Sequence, residues 1–249
     1  MAKPASSYGQ YCPLALAAEL LCRRWTLLIV SRLLDGCETF NEIHAGVPRI
    51  SPSLLSRRLG ELVHAGLATR EAIPGTKRYR YLPTAATREL DDTVMGLAAW
   101  GQRWARDMDV DDLDPAFLAW SMSQRLNPDA MPVGRTVVEF EFSGTPTEFR
   151  RFWLVSNDGH ADMCLKHPGY ETDLLVQADL RCFVEAWRGI RNLKTELRRG
   201  SISLTGPPRL KRALPDWLLL SALASYSRQA AGRERQLASH RRKNAGDHR

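Results

Sequence analysis

Residues 39–66 restrict the possible folds of this chain more than any other stretch, because they predict two short helices joined by a tight turn. Thr39 and Glu42 have the spacing of a capping box, in which each side chain accepts a hydrogen bond from the other residue's backbone N–H. Ser51 is placed to cap the second helix, with Pro52 at its first position. Apolar residues recur along this second helix at helical spacing and are expected to face inward: Leu54, Leu55, Leu59, Leu62 and Val63.

The other face of the second helix begins with small polar and basic residues: Ser53, Ser56, Arg57 and Arg58. A short helix followed by a helix with such a front face is typical of a helix-turn-helix, whose second helix lies in the DNA major groove. The alternative is an ordinary helical hairpin.

Two short predicted strands follow, at residues 68–73 and 77–82, with a Pro-Gly turn signal between them. Strand alternation puts Arg78 and Arg80 on one face of the second strand. A basic hairpin directly after a recognition helix is typical of a wing that contacts DNA phosphates. The alternative is a solvated basic hairpin without a partner. The predicted DNA-binding residues are Thr39, Ser51, Ser53, Ser56, Arg57, Arg58, Lys77, Arg78 and Arg80.

Several separate segments match one known family in order. They are Tyr11-Cys12-Pro13, Arg24-Trp25-Thr26-Leu27-Leu28-Ile29, Leu34-Asp35-Gly36, Phe40-Asn41-Glu42-Ile43, Ile50-Ser51, Leu54-Leu55-Ser56-Arg57-Arg58-Leu59 and Leu62-Val63-His64-Ala65-Gly66-Leu67. Over about residues 8–105 the chain resembles the HxlR-type winged-helix transcriptional regulators of bacteria. One departure is Cys22, where the family usually has Gly before the Arg-Trp pair. The resemblance implies a homodimer whose terminal helices pair across a two-fold axis, and a palindromic site on double-stranded DNA.

The five cysteines are scattered at positions 12, 22, 37, 164 and 182 and form no CxxC pair, which is typical of cytosolic thiols. Cys12 precedes Pro13 at a predicted helix start, a position that lowers a thiol's pKa. The resemblance implies a redox role for Cys12, since some family members sense oxidants or electrophiles through a cysteine at the matching place. The alternative is a buried or unreactive thiol.

The distribution of charge favours a polyanionic partner for the first part of the chain. The net charge of the 249 residues is +7. Residues 1–90 contain 12 Lys or Arg and 7 Asp or Glu, and residues 228–249 contain 7 and 2. No apolar stretch is long enough to cross a membrane, and the first residues lack the apolar core of a signal peptide. We therefore expect a cytoplasmic protein without a membrane partner.

The sequence predicts two domains and a tail, at residues 1–110, 111–227 and 228–249, with the acidic stretch 107–114 at the boundary. The tail is basic and predicted to be disordered. Thr84 should open a long helix reaching about Arg106. Its apolar stripe should pack against a second copy, or alternatively against the second domain, and consists of Leu90, Val94, Leu97, Ala98, Trp100, Gly101 and Trp104.

The second domain changes to strand periodicity from about residue 133, and its pattern predicts an α+β fold: a mostly antiparallel sheet with helices against one face. Three of its segments, residues 152–159, 167–173 and 200–206, resemble sterol-carrier-protein-like domains over about residues 113–220. The resemblance implies that an apolar small molecule binds between sheet and helices. The candidate ligand-binding residues are Phe140, Trp153, Met163, Leu174, Phe183 and Trp187; a fully packed core is the alternative.

Other chemistry has less support in the sequence. His160, Asp162, Cys164 and His167 have metal-ligand residue types, but a polar strand edge followed by a turn is the better interpretation, so no metal is expected. No nucleophile elbow, P-loop or dinucleotide-binding motif occurs, and we therefore expect neither an enzyme nor a cofactor. Two functions remain: a DNA-binding regulator controlled by an apolar molecule or by thiol oxidation, and a lipid or small-molecule carrier whose winged helix contacts proteins.

Overall fold

The structure is a computed structural model that describes residues 7–158 and 160–229. The chain divides into two compact units, one up to Leu97 and the other from Ala98 onward, and each is described by itself. The predicted basic tail at 228–249 lies outside the described residues except for Arg228 and Gln229. No helix within the described ranges is long and apolar enough to cross a membrane.

The first unit is a winged helix. Its elements are α1 (Pro13–Leu21), α2 (Thr26–Leu34), α3 (Phe40–Ala45), α4 (Pro52–His64), β1 (Ala68–Ala72), β2 (Tyr79–Pro83), α5 (Ala85–Arg88) and the first half of α6 (Asp91–Trp104). The predicted long helix from Thr84 is therefore two helices, because α5 ends at Arg88 after a single turn and Glu89 is its C-cap.

One face of α2 forms the centre of the first unit's core. Three apolar residues of α2, namely Ile29, Val30 and Leu33, are at most 1 % exposed, and Ile43 of α3 and Leu55 of α4 are fully buried. The spacing of these residues at three and four positions produces the inward face that the sequence predicts. This core fixes the backbone of α3 and α4, and leaves their outer residues available for contacts.

The second unit is built on a five-stranded sheet. Its elements are the second half of α6, then α7 (Pro115–Ser123), β3 (Arg135–Ser143), β4 (Arg151–Asn157), β5 (His160–Cys164), β6 (Leu174–Asp179), α8 (Leu180–Trp187), α9 (Leu193–Arg199), β7 (Ile202–Thr205) and α10 (Pro208–Trp217). The strand order is β5-β4-β3-β6-β7, and among the strand pairs of the described residues in this sheet only β3–β6 is parallel. The predicted α+β class is confirmed for this unit.

The strand register corrects one prediction. Phe140 of β3 pairs with Phe152 of β4, so Phe152 and Leu154 face the helices and are buried in the core. Trp153 was predicted to share a face with Phe140, and this is wrong because neighbouring residues of a strand point to opposite sides. Residues 152–155 are all apolar, so the sequence does not distinguish the inward pair Phe152 and Leu154 from the outward residue Trp153.

The unit boundary also differs from the prediction at residue 110. The end of α6 and the acidic stretch after it are bonded to the rest of the second unit. Gln102 is buried and donates to the Arg188 carbonyl at 3.1 Å, Arg181 donates to the Met108 carbonyl at 2.7 Å, and Arg228 donates to Asp107. The acidic stretch looked like a solvated linker in the sequence because its basic partners are far away along the chain.

Candidate nucleic-acid interface

The turn between α3 and α4 is fixed at both helix starts, as the sequence predicts. The Thr39 Oγ1 accepts from the Glu42 N–H at 3.3 Å, and a Glu42 carboxylate oxygen accepts from the backbone N–H groups of Thr39 and Glu38 at 2.9 Å each. These bonds, the Thr39 N–H first, hold the pKa of Glu42 below its ordinary value. Ser51 caps α4 by accepting from the Leu54 N–H at 3.4 Å.

Two basic side chains form hydrogen bonds with backbone carbonyl groups of the turn. His44 Nε2 lies 3.0 Å from the Ile50 carbonyl oxygen, and an Arg32 N–H donates to the Gly46 carbonyl. Such side-chain bonds satisfy backbone groups that neither helix can pair. The start of α4 is therefore fixed before any ligand binds.

The exposed face of α4 consists of Ser53, Ser56, Arg57 and Gly60, and the buried face of Leu55, Leu59 and Leu62. Arg57 has a 65 % exposed side chain and lies only within loose ion-pair distance, 3.9 Å, of Glu61. Its guanidinium can reach outward, which is what contact with a base edge or a phosphate requires.

Arg58 does not belong to this exposed face, contrary to the prediction that paired it with Arg57. Its side chain is 14 % exposed and donates to a Glu61 carboxylate oxygen at 2.6 Å and to the Arg24 carbonyl at 3.2 Å. Arg24 lies in the turn between α1 and α2, where Trp25 adopts a left-handed backbone conformation with φ of 78°. Arg58 thus connects the recognition helix to that turn.

The wing pairs as a regular antiparallel hairpin, with Ala72 opposite Tyr79 and Ala68 opposite Pro83. The turn at its tip includes Gly75, whose φ of 73° favours glycine. Lys77 and Arg78 at the tip are exposed and have no salt bridge within the described part of the chain. They are suited to contact the DNA backbone.

Arg80 differs from its neighbours in the wing. Its guanidinium donates twice to one Glu71 carboxylate oxygen across the hairpin, at 2.9 and 2.7 Å. Its backbone forms an isolated bridge with Thr39, and the Tyr81 N–H donates to the Glu38 carbonyl. Arg80 thus helps to attach the wing to α3, and its charge is partly neutralised by Glu71.

Arg49 is an exposed basic residue outside the set of predicted DNA-binding residues. It lies directly before Ile50 and Ser51, at the entrance to the recognition helix. The sequence places Arg49 two residues before Ser51, the predicted N-cap of α4. In a helix-turn-helix, residues around the start of the second helix lie close to the DNA major groove.

The thiols differ in their surroundings. Cys12 is exposed at the N-cap of α1, with Pro13 following it, and Cys22 is exposed at the other end of that helix. Burial raises the pKa of Cys37 to about 11, and burial also raises the pKa values of Cys164 and Cys182. Cys12 and Cys22 are therefore the accessible thiols of the described residues.

The candidate ligand-binding residues of the second unit lie in different places. Phe140, Leu174 and Phe183 are at most 3 % exposed and belong to the core, where the Phe140 and Phe183 rings pack edge to face with centroids 5.8 Å apart. Met163 and Trp187 are partly buried against this core. Trp153 lies on the other side of the sheet, beside His167. Within the described ranges, no three His, Cys, Asp or Glu side chains are grouped to hold a metal ion.

Comparison with known proteins gives matches in the first part of the chain. The family model described as HxlR-like helix-turn-helix matches residues 20–109. The uncharacterized HTH-type transcriptional regulator YvaP of Bacillus subtilis is 35 % identical over 112 residues, which cover 44 % of this chain and 96 % of YvaP. The HTH-type transcriptional regulator YodB of the same organism is 32 % identical over 101 residues, covering 40 % of this chain and 90 % of YodB. The solved reduced form of YodB superposes with a TM-score of 0.35 at 31 % identity, over 40 % of this chain and 100 % of that chain.

Proposed function

Because this chain belongs to the HxlR-like helix-turn-helix family through residues 20–109, we propose that it is a DNA-binding transcriptional regulator. The observation that carries the proposal is the exposed face of α4. A rigid, doubly capped turn presents Ser53, Ser56 and Arg57 outward, while the opposite face is buried. The exposed basic tip of the wing adds phosphate contacts beside it.

A homodimer is part of the same proposal. Helix α1 has no buried residue and exposes Leu14, Leu16 and Leu20, and α6 exposes Leu97 and Trp100. Exposed apolar side chains on two helices are suited to pack against a second copy. Two recognition helices about 34 Å apart would then fit the half-sites of a palindromic operator.

Control by a signal is the third part of the proposal. Thiol oxidation would act through Cys12, which is exposed at a helix N-terminus. An effector would act through the second unit, whose resemblance to sterol-carrier-protein-like domains supports a role in small-molecule binding rather than catalysis. Since Phe140, Leu174 and Phe183 pack closely together, an apolar molecule would have to displace side chains to enter that core.

The wing provides the test of DNA binding. Wild type, Arg78→Ala and Arg80→Ala are compared in gel shifts with the protein's own upstream intergenic DNA at several salt concentrations. We expect Arg78→Ala to weaken binding to all sequences alike and to lower the salt slope by about one. Arg80→Ala should lower it less, because Glu71 already neutralises part of that charge. Absence of a shift for the wild type would favour the carrier function instead.

A further inference from the structure

The outer face of the second unit's sheet has a groove that the proposed function does not use. The groove lies along β4 and the segment after β5, and its volume is about 510 Å³. Its lining residues are Thr147, Arg150, Arg151, Trp153, Leu165, Lys166 and His167. This set contains three permanent cations and no carboxylate, although residues 98–229 contain equal numbers of the two signs, 17 Lys or Arg and 17 Asp or Glu.

One of the three cations is already neutralised inside the unit. Arg151 donates to Glu141 at 2.5 Å and lies 3.3 Å from Glu139, and its pKa is raised chiefly by the bond to Glu141. Arg150 and Lys166 are exposed and form no ion pair within the described part of the chain. The groove therefore presents two exposed positive charges, of which Arg150 is partly compensated because it also lies near Glu141 and lowers that carboxyl's pKa. An excess of positive charge remains, which favours an anion.

An aromatic side chain forms the inner wall of the groove. Trp153 is 7 % exposed, and the centroid of its indole ring lies 5.2 Å from that of the His167 ring. Its Nε1–H is buried and has no hydrogen-bond partner within the described residues. A buried donor without an acceptor is unfavourable in folded proteins, and the Trp217 Nε1–H of the same unit is in the same state. Leu165, 56 % exposed, adds apolar surface at the same site.

His167 provides a further donor. Its Nδ1 accepts a hydrogen bond from the Gly169 N–H at 3.0 Å, so the neutral ring has its proton on Nε2. Thr147 adds a hydroxyl group to the lining. The polar groups of the groove are thus mainly cations and donors, which match the oxygens of a carboxylate.

We propose that this groove binds a small aromatic carboxylate. The carboxylate interacts with Arg150 and Lys166, and the ring packs against Trp153 and Leu165. An aromatic body is favoured over inorganic phosphate because Trp153 and Leu165 give the site apolar surface that phosphate would leave without a partner. The binding itself is independent of the proposed function, and only its effect on DNA binding rests on that function.

The test measures the binding of three probes to the full chain by calorimetry: 1-naphthoate, its neutral methyl ester and inorganic phosphate. We expect naphthoate to bind and the other two to bind at least about tenfold more weakly, since each lacks one half of the match. Arg150→Gln and Lys166→Gln should each weaken naphthoate binding about tenfold. Arg209→Gln is the matched control, because Arg209 is an exposed cation of the same unit outside the groove.

A Trp153→Phe variant tests the contribution of the indole ring to the wall of the groove. It keeps a smaller aromatic ring and should bind naphthoate several-fold more weakly, and its thermal stability should be lower because part of the buried indole volume is left empty. Absence of heat with millimolar naphthoate in a folded protein would overturn the site. Equal binding of the ester, or tighter binding of phosphate, would overturn the ligand class. If naphthoate binds but leaves the gel shift unchanged, the site holds and the proposed effector control of DNA binding fails.

Discussion

Arg57 and Arg58 are neighbours in the sequence, yet they serve different parts of the molecule because one residue turns an α-helix by about 100°. Arg57 points outward with a 65 % exposed side chain, and Arg58 is 14 % exposed with bonds to Glu61 and the Arg24 carbonyl. The helical spacing of Leu55, Leu59 and Leu62 was sufficient to predict the buried face. It could not show that a long basic side chain beside that face would bend toward another turn.

The two arginines therefore give opposite predictions. We expect Arg57→Ala to change sequence preference, by about 1–3 kcal/mol at one base pair if its contact is bidentate, with an unchanged melting temperature. Arg58→Ala should instead lower the free energy of unfolding by about 1.5–3 kcal/mol, because it removes charge-assisted hydrogen bonds. Binding-site selection and urea unfolding of both variants measure the two effects. A stable Arg58→Ala protein with altered sequence preference would contradict the assignment.

Cys12 gives a second prediction at this scale. We expect its thiol to react with iodoacetamide faster than the other four, namely Cys22, Cys37, Cys164 and Cys182. Burial raises the pKa values of the last three. Cys22 is the matched control, since it is exposed at the opposite end of the same helix. Cys12→Ser should remove any effect of an oxidant on DNA binding, and Cys22→Ser should preserve it. Equal alkylation rates at the two positions would leave Cys12 without a special role.

At the scale of elements, local signals predicted the helix starts well. The capping box at Thr39 and the Ser-Pro start at residue 51 depend on residues at most three positions apart, and the structure has both. The strand β4 was harder because residues 152–155 are all apolar, and only pairing with β3 decides that Phe152 faces the core. Strand register depends on pairing with a distant strand, and an error of one residue in the predicted register exchanges the two faces of the strand.

The capping box predicts a pH dependence. Because folding lowers the pKa of Glu42, the ionised carboxylate stabilises the fold above the ordinary glutamate pKa of about 4.3, and this stability is lost as pH falls through the lower folded value. We expect Glu42→Gln to be less stable than wild type at pH 7, by about 0.5–1 kcal/mol. The difference should shrink toward pH 3 in urea unfolding.

Glu89→Gln is the control for that experiment, since Glu89 is exposed in the same unit and has no hydrogen bond to its side chain in the described residues. Its stability relative to wild type should not change with pH in the way that Glu42→Gln does. A gap between wild type and Glu42→Gln that stays constant from pH 7 to pH 3 would rule out the ionised cap as its cause.

At the scale of the whole molecule, the sequence predicts the fold class of each unit but places the boundary between the two units at residue 110 instead of residue 97. Composition marked residues 107–114 as an acidic linker, whereas Arg181 and Arg228 bind this stretch to the second unit. Those partners lie more than 70 residues away along the chain, beyond the range of a local pattern. Helix α6 consequently begins in the first unit and ends in the second, and residues 98–104 belong to the second unit.

The assembly gives the last prediction, which concerns the exposed apolar residues of α1 and α6. Leu14 is 77 % exposed and Leu97 is 51 % exposed, and both belong to the first unit. If they pack against a second copy, Leu14→Glu and Leu97→Glu each place a charge in an apolar interface, which is strongly unfavourable. We expect both variants to sediment as monomers at micromolar concentration with an unchanged melting temperature. Each should still bind a half-site but lose most of its affinity for the full palindrome, because the two half-sites are then bound independently.

Val133→Glu is the control for these two variants. Val133 is 96 % exposed in the second unit, and its substitution should leave the dimer intact. A wild type that sediments as a monomer, or variants that remain dimeric, would show that these helices have another partner.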